Sequence, residues 1–339
     1  MRKRPIATGI CFMLAAQLFA TAASAAAEKV FCTTFPIYLF TRNIMQGAPQ
    51  QPELLLPANL GCPHDYAVTP QDLQKVSSGS PLLIANGAGL DNAVCTALKK
   101  ANSSLRVCYA SGGEEETTGA FAGATKGGSP SAGSSGAVLS RTSGDGDGQT
   151  ACPGGHSHHH HGHGGTGGEN PHSFASPGHA AELVKGIASH LCKEDPSSAE
   201  LYRKNAENYL SKLRLLSEEM SRMAKHFSGK RVLAQHDVFE YPADELGLKM
   251  VGVIQTEPGE NPSASEIIKL IHLAKEEKIS LILAEPQYPA DVAEMIGREA
   301  GVPVILLDPV ANGRADAPLD YYESVMRKNL SVLERLLAE

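Results

Sequence analysis

The chain contains no tryptophan, and aromatics of any kind make up only 5% of it, so a deep stacking groove of the sort that holds sugars is not expected. It also lacks a basic stripe. The formal net charge is −7, and three of the cations, Arg2, Lys3 and Arg4, are crowded at the start. An acidic chain of this kind is a poor nucleic-acid binder, because phosphate recognition needs clustered Lys and Arg. No C-x-x-C pair occurs, and there is no H-E-x-x-H helix or nucleophile elbow. No apolar run reaches the roughly 18 residues of a spanning helix. What remains is ordinary for a globular protein: 339 residues, 42% hydrophobic and 20% charged, enough for two domains.

The basic start is followed by a short apolar run, 10–20, and by the small-residue sites Ala23-Ser24-Ala25 and Ala25-Ala26-Ala27. This predicts a cleaved secretory signal over 1–27 and an exported, mature, non-spanning protein. Beyond Cys11 there are six cysteines: Cys32, Cys62, Cys95, Cys108, Cys152 and Cys192. An even number in an exported chain predicts disulfides, with 15 connectivities open.

Five further stretches follow. Residues 28–110 alternate apolar runs (30–34, 53–57, 81–85, 105–109) with helical patterns, which predicts an α/β lobe with a parallel sheet. Residues 111–169 lose all apolar periodicity in Gly, Ser, Thr and Ala; they read as a long flexible insertion. Residues 170–194 complete the first lobe. A linking helix is expected over 195–228, where Leu201, Tyr202, Leu210, Leu213, Leu216, Met220, Met223 and Phe227 recur at helical spacing. Residues 229–339 repeat the α/β pattern. The expected fold is thus two similar α/β lobes joined by a long, rigid helix.

The candidate site comes from where the histidines fall. His64 follows the second strand, His236 ends the strand 231–235, and His172 stands where the insertion rejoins the first lobe. Glu285 and Asp308 end two strands of the second lobe. Ligands of open parallel sheets bind outside the carboxyl ends of the strands. If both lobes aim these ends at one cleft, His64, His172 and His236 meet, with Asp308 as a candidate fourth ligand and Glu285 nearby. Three imidazoles and a carboxylate make a zinc-type set. Asp65 and Asp237 read as supporting groups, and His179, His190, His226 and His272 as helix surface or core. The insertion carries His156, His158, His159, His160, His161 and His163, a weak secondary metal collector.

The ordered set of motifs resembles the periplasmic zinc-binding proteins of metal ABC importers, the ZnuA-like solute-binding family. The motifs are Thr33-Thr34-Phe35-Pro36-Ile37-Tyr38, His64-Asp65-Tyr66 with Thr69-Pro70-Gln71-Asp72-Leu73, Asn170-Pro171-His172, Ser176-Pro177, His236-Asp237, Glu285-Pro286-Gln287 and Leu307-Asp308-Pro309. The resemblance implies two (β/α)4 lobes on one backbone helix, with Zn2+ held in the cleft as transported cargo by His64, His172, His236 and Asp308. It implies a membrane permease as partner, and a monomer. Manganese-binding relatives carry a carboxylate at the third position, so His236 points to zinc. Phe174 stands where many relatives have Trp, and the cysteine pattern also differs. Release is expected through movement of His172, at the end of the insertion. Two other readings are open: a zinc hydrolase with an open three-histidine site, and a metal-binding surface adhesin.

Overall fold

The computed structural model describes residues 29–61, 66–112, 169–255 and 261–338. The expected signal at 1–27, Cys62, His64, Asp65, Cys152 and the six histidines of the insertion lie outside the described residues.

Two apolar tetrapeptides, Leu82–Ala85 and Leu281–Ala284, are buried at every position. A strand covered on both faces reads as a continuous apolar run, and that is the habit of parallel sheets. Each run becomes an inner strand of a four-stranded parallel sheet. In chain order the first lobe comprises β1 (Val30–Cys32), α1 (Phe35–Ile44), β2 (Glu53–Leu54), α2 (Pro70–Lys75), β3 (Leu82–Ala85), α3 (Asn92–Ala101), β4 (Arg106–Tyr109) and α4 (Pro177–Glu194). The single helix α5 (Ala199–Phe227) follows. The second lobe comprises β5 (Arg231–Ala234), α6 (Glu240–Glu245), β6 (Lys249–Val253), α7 (Ala264–Glu276), β7 (Leu281–Ala284), α8 (Asp291–Ala300), β8 (Val304–Leu306) and α9 (Tyr321–Ala338). The sheet orders, β2-β1-β3-β4 and β6-β5-β7-β8, are the same. The α/β class and the paired sheets agree with the reading of the sequence.

Local chemistry sets the boundaries. Thr69 caps α2 in a reciprocal box with Asp72, with Pro70 in the first turn; Ser263 and Glu266 do the same for α7. α5 has 29 residues and is about 44 Å long at ~1.5 Å per residue. Its buried stripe, Tyr202, Ala206, Tyr209, Leu213, Leu216 and Met220, advances by three or four residues and ends, two turns on, at Phe227. That stripe belongs to one apolar cluster that runs from β1 and α1 through α4 and α5 to β5, β7 and α9. Smaller clusters fill the outer faces, under α2 and α3 on one sheet and α7 and α8 on the other. The lobes therefore share a core. Phe40 packs on Tyr209 and Tyr322, and Phe35 on Tyr321. Among the described residues no helix is long and apolar enough to cross a membrane.

The disulfide expectation needs correction for four cysteines. Cys32, Cys95, Cys108 and Cys192 are free thiols. Cys32 and Cys108 both register with Ile84 from opposite sides of β3. Two strand spacings of ~4.8 Å separate them, beyond the reach of a disulfide. Burial pushes the Cys32 thiol up to about 12 and the Cys108 thiol up to about 11, so both behave as small core residues rather than nucleophiles.

Gly186 lets α4 lie against the end of β4. A β-carbon there would collide with the Ala110 carbonyl oxygen. Gly186→Ala should therefore destabilise by about 1–3 kcal/mol through overpacking. The thermal midpoint should fall by several degrees; an unchanged midpoint would show that α4 has slack here.

Candidate metal centre

His236 leaves β5 directly into a short 3-10 turn, Asp237–Phe239, and is 3% exposed. The strand before it is held at the middle of its sheet, between β6 and β7. Its Nδ1 lies 3.6 Å from Oε1 of Glu285, the residue that leaves β7. Glu285 is itself placed by its N–H, which donates to Gln235 Oε1 at 3.1 Å. Glu285 thus stands on the Nδ1 side of the ring, and Nε2 faces Asp237 on the other side.

His172 comes from the other lobe, ahead of a 3-10 turn at Ser173–Ala175, and is fully buried. Three anchors hold its segment. Asn86, at the end of β3, donates from Nδ2 to Pro171 O at 3.0 Å. Asn86 is fixed in turn by buried Asp91, which accepts from the Asn86 and Gly87 N–H groups and from Thr33 Oγ1. The Tyr241 hydroxyl, from the second lobe, donates to Asn170 O at 2.8 Å. The His172 N–H donates to Asn170 Oδ1 at 2.9 Å, and its Nδ1 lies at the same distance from that oxygen.

The two rings meet edge to face with centroids 5.0 Å apart. Donor atoms of His172, His236 and Asp237 all lie within 4.8 Å of one another. Asp237 Oδ1 is 3.0 Å from His236 Nε2 and 3.4 Å from His172 Nδ1. Two donors on one tetrahedral Zn2+ at ~2.0–2.1 Å would stand about 3.3 Å apart, and the Asp237 Oδ1–His236 Nε2 pair is close to that spacing. Asp237 Oδ1 and Glu285 Oε1 are buried, with no hydrogen-bond partner among the described residues. Buried carboxylate oxygens without a donor are costly unless a cation offsets their charge. The donor set thus fits a divalent ion.

Asp308 leaves β8 in the same lobe but is outside that three-residue group. Its Oδ1 accepts from Val310 N–H at 2.8 Å, and Asn329 brackets its backbone. Burial holds the Asp308 carboxyl above its ordinary range, and its charge in turn raises Glu285. His179 packs on Tyr241 beside the N-terminus of α4, and His272 is exposed on α7. Reading the sequence alone put Asp237 among supporting groups, whereas its oxygen stands among the donors. It also passed over Asn170, Asn86 and Asp91, because their role is set by contacts between distant segments.

The family described as "Zinc-uptake complex component A periplasmic", ZnuA, matches residues 30–336. The chain belongs to this family. A ZnuA relative, the high-affinity zinc uptake system protein of Bacillus subtilis (strain 168), is 28% identical over 341 residues, covering 96% of this chain and 94% of its own. Zinc-binding lipoprotein AdcA of Streptococcus pneumoniae is 32% identical, over 49% of this chain and 34% of that longer protein. Among solved structures, the SBP FpvC from Pseudomonas aeruginosa in complex with Mn2+ has a TM-score of 0.68 at 25% identity, covering 91% of this chain and 97% of that one. A crystal structure of ZnuA, at 22% identity and TM-score 0.62, shares the fold.

The ZnuA-type cleft carries a charge penalty at Glu285. Burial raises this carboxyl above its ordinary range, and the His236 ring opposes the shift. A raised carboxyl binds its proton longer in the folded state than in the unfolded chain, so stability is lost as pH rises through the folded titration. Glu285→Gln removes that loss. With chelator present, the variant should melt above the parent at pH 7.5, and the gap should close toward pH 4. A gap independent of pH would contradict this account.

Proposed function

We propose that this chain captures one Zn2+ in the cleft between its lobes and hands it to the permease of an ABC-type zinc importer. The observation that carries the reading is the meeting of two buried imidazoles, His172 from one lobe and His236 from the other, beside carboxylate oxygens without partners. Imidazole-rich sets suit a borderline ion such as Zn2+ better than Mn2+, which prefers oxygen ligands. Family membership supports uptake of zinc rather than catalysis, and the hydrolase alternative finds no support in it.

His64 is proposed as the third imidazole. For the fourth position Asp308 is the proposed ligand, a desolvated carboxylate at the end of β8 that a cation would relieve. Asp237 is its competitor; its side chain is 43% exposed. Asp308→Asn should weaken zinc binding more than Asp237→Asn; the reverse order would assign the position to Asp237. The signal at 1–27, a periplasmic location and the weak histidine collector of the insertion complete the proposal.

The test is elemental analysis of the purified mature chain with and without residues 111–169. About one zinc per shortened chain is expected, and none in the His64→Ala/His236→Ala variant. Full zinc retention in that variant would overturn the site. Ligand imidazoles must be neutral, and free imidazole titrates near pH 6.5. Affinity should therefore fall as pH drops from 7 to 5, approaching about tenfold per pH unit for each ligand histidine. A flat profile would exclude imidazole ligation.

A further inference from the structure

We infer that Asn170 is a positioning residue for zinc capture: its side-chain amide sets which nitrogen of His172 faces the metal and ties that ring to the other lobe. The inference rests on the zinc-capture reading above and adds to it a residue outside the ligand set.

The orientation of the amide follows from its partners. On one side, Nδ2 lies 3.1 Å from the Asp237 carbonyl oxygen and 2.6 Å from Glu240 Oε2, both acceptors, so this end must be the NH2 group. On the other side, Oδ1 accepts the backbone N–H of His172 at 2.9 Å. The same oxygen faces His172 Nδ1 at 2.9 Å. An oxygen that can only accept requires the proton on Nδ1. Asp237 Oδ1, 3.4 Å from the same Nδ1, is likewise an acceptor. Nε2 is then the nitrogen with the lone pair, the one able to bind a metal. One amide thus does two things. It fixes the tautomer and tilt of a ligand from the first lobe, and it holds the peptide that follows His236 in the second. Tyr241, also from the second lobe, secures the Asn170 carbonyl. A carboxylate in place of the amide would face Glu240 with like charge; an alanine would leave the buried His172 N–H without its acceptor.

The test uses full-length N170A and the double variant N170D/E240Q, which exchanges amide and carboxylate between the two side chains. Zinc affinity is read by competition with a chelating dye, and ligand geometry by the visible spectrum of bound Co2+. N170A should lose about 10–100-fold in affinity, the range typical of a residue that orients a ligand histidine, with a changed Co2+ spectrum. N170D/E240Q keeps the acceptor for His172 but cannot donate to the Asp237 carbonyl oxygen, so it should regain the parental spectrum and only part of the affinity. Parental behaviour of N170A, or a double variant as impaired as N170A, would overturn the inference. Should N170A fail to fold, the double variant decides alone: a parental Co2+ spectrum supports the role and an altered one refutes it. Zinc binding by the parent that is abolished in His236→Ala, together with an unaffected N170A, would refute this inference while leaving the zinc-capture reading intact.

Discussion

The arrangement depends on one packing constraint: the apolar core does not stop at the boundary between the two sheets. The stripe of α5 and the rings of Phe40, Tyr209 and Tyr322 carry it from one lobe into the other. Asn43 and Tyr38 of α1 reinforce it by donating to backbone oxygens of Leu319 and Ala315. Protein interiors are close-packed and resist strain, so such a joint holds the lobes at a set separation. His172 and His236, brought in from opposite sides, can then meet within a few ångströms.

A fixed separation shapes how an ion is taken and given up. Wide hinge closure would have to break the shared core, so a change confined to the cleft is the less costly route. For His172 to swing away with the insertion, several contacts must break. Its ring is buried and packs against Phe174 and His236, and its segment is tied to Asn86 on one lobe and Tyr241 on the other. His172 and His236 are thus held as a pair by both lobes. Beside them Glu285 Oε1 and Asp237 Oδ1 are buried, with no hydrogen-bond partner among the described residues.

Much of this was legible in the residues. LILA and LLIA announce buried parallel strands, and Thr69-Pro70 announces a helix start, because burial and capping are local signals. His236 and Glu285 were readable because strand ends converge in open sheets. Asn170 was not, since an Asn beside a Pro looks like a turn until Asp237 and Glu240, some 70 positions on, close around its amide. The disulfide expectation failed for four cysteines for a related reason. Parity and export suggested pairing, but Cys32 and Cys108 are separated by β3, and register is a property of the sheet rather than of spacing.

The central claim is that side chains from both lobes share one ion. The most direct measurement is diffraction from zinc-loaded crystals at the zinc absorption edge. The account predicts a single strong anomalous peak in the cleft, about 2.0–2.2 Å from Nε2 of both His172 and His236. A peak bound by residues of one lobe only, or reaching His172 through Nδ1, would contradict it.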